Sequence, residues 1–454
     1  MKLSTTHLGH TYQFQSLKSL LAKANEEKSG DRLAGIAAES VQERIAAKEI
    51  LSELTLKDIR DHPLLPPEED EVSWVIESQV NEKIYDAIKN WSVAELREYI
   101  LANETTGEDL KRISRGLNSE MIAGVAKIMS DLDLIFAANK IEVLTKCNIT
   151  IGQKGTLSSR LQPNHPTDSV EGMIASLKEG LSYGIGDAVI GINPVEESVE
   201  SVKRMLHATH DFIEEWKVPT QNCVLAHVTA QMKAIEQGAP ADMIFQSIAG
   251  TETANRSFGI DAKILEEANE LAKTQGTGTG PQRLYFETGQ GSELSAEAHH
   301  DIDQMTLESR NYGFARYYDP FIVNTVVGFI GPEYLYNNKQ VLRAGLEDHF
   351  MGKMHLIPMG VDICYTNHTK ADQNDMEDLG VLLTTAGVNF IIATPMGDDC
   401  MLNYQSMSYH DVATLRQTFN KRPSPLFDKW LEQMGILENG MLTSRAGDPT
   451  LFTR

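Results

Sequence analysis

The sequence predicts an α/β fold, a (β/α)8 barrel with an added helical amino-terminal region, and three observations carry that reading. From Cys147 onward, short β-branched apolar runs alternate with helical stretches, the pattern of parallel strands joined by crossover helices. Eight such runs are found, mostly about thirty to forty residues apart, and none is left over; closing a parallel sheet takes that number and removes both edges. Before Cys147 the chain is instead rich in Leu, Ala, Glu and Lys at helical spacing. The expected division is 1–145 for the helical region, 146–408 for the barrel, and 409–454 for a carboxyl-terminal helix and extension.

In the first region, Val41–Leu51 sets apolar residues at 41, 45, 47, 50 and 51, a helical stripe. Breaks at Lys28–Asp31, His62-Pro63, Pro66-Pro67 and Thr105–Gly107, with Thr55 and Ser92 as N-caps, predict several short-to-medium helices and no sheet. The eight strands are expected to centre on Ile149–Ile151, Ala188–Ile192, Cys223–Ala226, Met243–Phe245, Arg283–Phe286, Thr325–Phe329, Leu356–Val361 and Phe390–Ala393. Past Ser408, two prolines (Pro423, Pro425) and the amphipathic Phe427–Met434 segment read as a final helix and a surface extension.

Composition narrows the function classes. The 454 residues are 41% hydrophobic and 23% charged, as in folded globular proteins, and are long enough for one large barrel plus an appendage. Lys plus Arg number 41 against 64 Asp plus Glu, a net charge of −23 that disfavours nucleic acid and anionic membrane surfaces as partners. Runs such as Glu68–Glu71 read as a solvated face. The four cysteines are widely spaced with no CxxC, which fits a reducing cytoplasm rather than a zinc knuckle or redox pair. No apolar leader or membrane-length segment is seen, so neither export by a signal peptide nor a membrane span is expected.

A barrel puts its active site at the carboxyl ends of its strands, so the residues following each run are the candidates. They are mostly polar: Arg160 and Gln162 after the first, Asn193-Pro194 after the second, His227 after the third, Gln246-Ser247 after the fourth, Glu287 after the fifth, Phe329 after the sixth, Asp362 after the seventh. Glu287 and Asp362 can share an ammonium through charge-assisted hydrogen bonds, while Arg160, Gln162 and Asn193 surround a hydroxyl or amide. Together the five describe a pocket for a small, polar, positively charged molecule; singly, either acid reads as readily as a cap for the following helix.

Other signals fail on their context. The glycines of Gly276–Pro281 precede a strand, where a nucleotide loop would follow one. His299 and His300 are adjacent and diverge on a helix, and no metal ligands are assigned. Asp398-Asp399 reads better as a helix cap than as a divalent-metal site. Neither the His-x-His of barrel metal hydrolases nor the late strand-end Lys of Schiff-base aldolases is found, and a non-catalytic scaffold would not need the five pocket residues together.

The segment Ser159–Asp168, with Ser29–Gly35, Phe245–Glu252, Tyr285–Gly291 and Gly397–Tyr404, resembles the ethanolamine ammonia-lyase large subunits, and the likeness spans essentially the whole chain. The resemblance implies a barrel enzyme that uses adenosylcobalamin, with the nucleotide base kept on cobalt, for radical deamination of ethanolamine to acetaldehyde and ammonia. It implies a separate small subunit with the cobalamin between the two, in a higher hetero-oligomer in which large subunits self-associate. It leaves open whether the enzyme works free in the cytoplasm or inside a bacterial microcompartment. Carried onto this sequence, it makes Arg160, Gln162, Asn193, Glu287 and Asp362 the substrate-binding set with Phe329 packed beside it, and Glu287, Arg160 and Asp362 the catalytic residues. Pro194, Gln246, Ser295 and Met401 would line the corrinoid and Phe258 the adenosyl side. Many cobalamin enzymes replace the nucleotide base on cobalt with the His of an Asp-x-His-x-x-Gly motif; the nearest match, Glu347–Gly352 with His349, has Glu347 in place of the Asp and a helical context, and reads as chance.

Overall fold

The computed structural model describes residues 1–453. Eight parallel strands make one sheet: β1 Ser158–Leu161, β2 Val189–Ile192, β3 Asn222–Val224, β4 Ile244–Ser247, β5 Leu284–Thr288, β6 Ile322–Val326, β7 Met359–Asp362 and β8 Phe390–Ala393. Sequence neighbours pair except β3 with β4, and β1 pairs with β8, Arg160 lying opposite both Val189 and Ile392. The helices α1 Val170–Ser182, α2 Val199–Trp216, α3 Val228–Glu236, α4 Ala262–Gln275, α5 Gln304–Arg316, α6 Asn338–Met354, α7 Gln373–Ala386 and α8 Tyr409–Thr418 follow their strands in turn, so this is a (β/α)8 barrel. Short polar side chains start them: Ser169, Ser198, Asp261, Asp303, Asn337, Asp372 and Ser408 each accept a backbone N–H of the first turn.

The seam between β3 and β4 is closed by side chains. Asn222 and Asp242 exchange hydrogen bonds, each backbone N–H donating 2.9 Å to the other's side chain. Gln231, reaching in from α3, accepts from the Phe245 N–H at 2.9 Å and donates to the Phe245 carbonyl at 2.7 Å and to that of Ala226. A buried amide, with both donor and acceptor, thus replaces the missing ladder.

The expected first strand is elsewhere. Ile149–Ile151 belongs to an antiparallel hairpin, Thr145–Lys146 with Thr150–Ile151. Cys147, Ile149 and Ile151 pack on Val189, Tyr285, Phe390 and Ile392 inside the barrel, where the apolar run serves as a floor. The actual strand is polar, and is buried because Asp187 accepts both the backbone N–H and the hydroxyl of Ser159, at 2.8 and 3.0 Å. The sixth strand also runs earlier than expected and ends at Val326, leaving Phe329 in the turn beyond it. Gly276–Pro281 packs beneath the floor: a Cβ on Gly280 would lie 2.3 Å from the Cys147 carbonyl.

Before the barrel lie ten described helices, from Leu17–Ala24 to Asp131–Lys140, with the expected caps at Thr55 and Ser92 completed as capping boxes by Asp58 and Glu95. Contrary to expectation this region has a small sheet, the hairpin Ser4–His7 with His10–Gln13. Ser119–Lys127 packs on α5 and Asp131–Lys140 on α6, in a core continuous with the barrel helices. Helix α5 is therefore buried on every side, and its polar residues have partners: Arg310 donates to Glu120 at 2.5 Å and to Asp70 at 2.9 Å. The acidic run is thus only partly solvated; Glu68 and Glu69 are exposed, whereas Asp70 is buried, caps the Glu71–Ser78 helix and pairs with Arg310. After α8, the helix Pro425–Gln433 buries Phe427, Trp430 and Leu431. Among the described residues no helix is long and apolar enough to cross a membrane.

Candidate active site

Side chains alternate along a strand, so inward residues come in i, i+2 pairs. At the carboxyl ends of the barrel strands this stacks Arg160 with Gln162, Gly191 with Asn193, Tyr285 with Glu287, and Gly360 with Asp362. Arg160 is 1% exposed and crosses the barrel. It can do so because Gly191 faces it: a Cβ there would lie 2.7 Å from the Arg160 Nε. Its Nη1 donates to the Tyr285 hydroxyl at 2.6 Å and to Glu287 Oε1 at 2.7 Å, and its Nη2 to Asn193 Oδ1 at 2.6 Å. Burial disfavours the guanidinium charge, but the nearby carboxylates of Glu287 and Asp362 favour it, and the pKa stays above its ordinary value. Burial also raises the Tyr285 phenol well above its usual range, so it is neutral and donates to Glu287 Oε1 at 2.6 Å. Asn324 adds a 3.4 Å contact to the same oxygen. With Oε1 occupied, Oε2 is the Glu287 oxygen available to a ligand.

Asp362 lies 2% exposed across the barrel, accepting from the Ser406 hydroxyl at 2.6 Å and from the Tyr404 hydroxyl at 2.9 Å. Burial pushes its pKa up to about 6 against these hydrogen bonds and the pull of Arg160, with Glu287 adding to the rise. Among the described residues it makes no ion pair. Gln162 donates to Tyr404 at 3.1 Å and to Asp399, which also accepts from Asn164 at 2.7 Å. Two carboxylates, Glu287 and Asp362, therefore face one guanidinium, an excess of negative charge that an ammonium would balance.

Beside Glu287, the one member of this set that lines it, a cavity of about 390 Å³ opens, walled by Leu225, Phe245, Ile248, Phe258, Val326, Phe329 and Ile330, with Gln246 among its polar groups. Phe329 packs edge-on against Tyr404, ring centroids 5.2 Å apart. The seam between β3 and β4 borders this cavity through Leu225, Ala226, Phe245 and Gln246.

The structure thus brings Arg160, Asn193 and Glu287 into direct contact, and joins Gln162 to Asp362 through Tyr404. Gln246 and Phe258 line the cavity. Ser295 is exposed at the end of a short helix whose first residue, Ser292, lines it; Pro194 follows Asn193; and the Met401 N–H donates to Asp399 at 2.9 Å. Asp399 caps no helix, correcting the sequence expectation: Ser408 caps the next one, and Asp399 serves Gln162, Asn164 and the turn after itself. His349 is 1% exposed within α6, and His227 caps α3 while its Nε2 meets the Phe258 carbonyl at 3.0 Å.

Sequence reasoning missed Tyr285, Asn324, Asn164, Tyr404 and Ser406. Stepping back two residues from Glu287 would have found Tyr285, and placing the sixth strand correctly would have found Asn324. Tyr404 and Ser406 return to the barrel from the small hairpin after β8 and carry no strand-end signal.

Comparison with known proteins decides the family: the ethanolamine ammonia lyase large subunit (EutB) family matches residues 12–445. The chain belongs to that family. It is 57% identical over 452 residues to the ethanolamine ammonia-lyase large subunit of Escherichia coli strain K12, and 56% identical over 452 residues to that of Salmonella typhimurium, in both cases over 100% of each chain. In this family member, Ser159–Asp168 supplies β1 and the loop holding Gln162 and Asn164, and Tyr285–Gly291 supplies β5 with Glu287. Ser29–Gly35 lies far from the cavity in sequence and serves the fold: Asp31 accepts from the Gln304 N–H at 2.9 Å and from Asn25 at 2.7 Å.

Proposed function

We propose that this chain is the catalytic large subunit of an ethanolamine ammonia-lyase, converting ethanolamine to acetaldehyde and ammonia with adenosylcobalamin and a small partner subunit. The observation that carries the reading is the pair of carboxylates, Glu287 and Asp362, around a single Arg160, with Glu287 opening onto a largely apolar cavity. Such a site selects a small cation that also presents a hydroxyl.

Glu287 Oε2 and the Asp362 carboxylate hold the ammonium, and Arg160 binds the hydroxyl oxygen and stabilises negative charge developing there. Asn193 and Gln162 fix the orientation of the substrate. Glu287 Oε2 is the atom placed to accept and return a proton as the amino group moves, while the Tyr285 hydroxyl keeps Oε1 in place. Phe329 and the apolar cavity walls exclude water from the reacting carbons.

The donor set suits the cofactor: Phe258 and the apolar wall offer a face for an adenosyl group, and Gln246, Pro194, Ser295 and Met401 would hold the corrinoid. Adenosylcobalamin, when bound, would supply the hydrogen-abstracting radical, which this chain's side chains do not provide. Burial of His349 inside α6 favours a cofactor that keeps its own nucleotide base on cobalt. We propose a cytoplasmic hetero-oligomer of large and small subunits.

The test is omission. Full chain, small subunit, adenosylcobalamin and ethanolamine together should release acetaldehyde, and leaving out any one should abolish release. Full turnover without cofactor or without small subunit would overturn that part of the reading.

A further inference from the structure

Asp399 follows β8 in a two-residue strand paired with Tyr404–Gln405 and is 1% exposed. Its carboxylate serves four donors and, among the described residues, no cation. Oδ2 accepts from the side-chain amides of Gln162 and, at 2.7 Å, Asn164; Oδ1 accepts from the backbone N–H of Met401 at 2.9 Å and of Leu402. Asn164 in turn accepts the Asn193 N–H at 2.8 Å. One buried acid therefore ties two pocket amides to the turn carrying Met401.

We infer that Asp399 is a positioning residue that fixes Gln162 as a hydrogen-bond acceptor for the substrate. The Asp399 oxygens accept from four donors, two of them backbone N–H groups that cannot turn, so the NH2 end of Gln162 faces Asp399. Its other N–H points at the Tyr404 hydroxyl, itself committed as a donor to Asp362. Both amide hydrogens are spent within the protein, and Oε1 is the group left for the pocket. Ethanolamine carries donors at both ends, a hydroxyl and an ammonium, whereas a Gln162 turned the other way would present a donor to them. The orientation of a side chain that sequence alone leaves ambiguous is thus decided by a residue one shell out. This inference rests on the substrate pocket proposed above.

The test is a double-mutant cycle in the reconstituted holoenzyme, reading kcat and KM for ethanolamine and the visible spectrum of bound adenosylcobalamin. Asp399→Asn offers an N–H to the two amides that now donate to it, so Gln162 turns; kcat/KM should fall at least about tenfold, with cofactor binding within about threefold of wild type. In a Gln162→Ala background the same change should cost less than about twofold, because its route of action is gone. A second arm reads rescue: Gln162→Glu sets two carboxylates together and should be severely impaired, and adding Asp399→Asn should restore at least about tenfold, since an amide can then donate to the new acid. Wild-type kinetics for Asp399→Asn, full multiplicative loss in the Gln162→Ala background, or no rescue of Gln162→Glu would each overturn the inference. Wild-type kinetics for Gln162→Ala would instead overturn the substrate pocket on which it rests.

Discussion

Asp362 links the electrostatics of single residues to measurable pH dependence. Burial raises its pKa to about 6, and the groups facing it are Tyr404, Ser406, Arg160, Glu287 and Cys364. An acid with a raised pKa is neutral below that value, so its grip on an ammonium weakens as pH falls through about 6. For ethanolamine, kcat/KM should therefore lose activity on the acid side of pH 6. The limb in kcat should lie lower, because the bound cation favours the ionised form, and Asp362→Asn should remove it while lowering activity at neutral pH. An acid limb unchanged in Asp362→Asn would assign it to another group. Asn193, Glu287 and Asp362 were legible because barrel geometry directs attention to strand ends, whereas Arg160 and Gln162 were reached from an apolar run that proved to be the floor and lie within and just beyond the true β1. Tyr285 hid as an ordinary core aromatic, and Asp399 hid because a carboxylate before a helix reads as a cap until its partners are known.

At the level of elements, strands were legible from apolar runs only where the run faced the sheet's own layers. Ile149–Ile151 has the composition of a strand yet forms the barrel floor, while the true β1 is polar at three of its four residues, carrying Arg160 and buttressed by Asp187. Composition reports burial, and burial in a barrel has more than one address. The β3–β4 seam was invisible for a related reason: Gln231 lies on an amphipathic helix where a polar residue is expected, but is 2% exposed and bonded across the gap. Gln231→Leu leaves the Phe245 N–H and two carbonyls without partners, and should cost about 2–4 kcal/mol in urea unfolding with faster amide exchange at Phe245. Unchanged stability and exchange would show that the seam holds without it.

Across the whole molecule, the helical region and the barrel share one core, and α5 is the member clasped by both. Its Arg310 pairs with Asp70 and Glu120, both from the amino-terminal region, while Lys28 of that region pairs with Glu347 of α6 at 2.7 Å. The presence of helices before Cys147 was legible from their periodicity; their docking was not, because each ion-pair partner is distant in sequence and looks like a surface charge. Arg310→Met strands two buried carboxylates and should lower unfolding stability of the full chain by about 3–5 kcal/mol, whereas a loss under about 1 kcal/mol would make the cluster incidental. Together these layers hold the negatively charged pocket proposed to bind ethanolamine as a cation and deaminate it. The most direct measurement is acetaldehyde and ammonia released by the reconstituted holoenzyme, compared between wild type and Glu287→Gln with matched cofactor binding. Wild type should give equimolar products and the variant a loss of at least about a thousandfold; turnover of Glu287→Gln within a few-fold of wild type would contradict a role for Glu287 in the reaction.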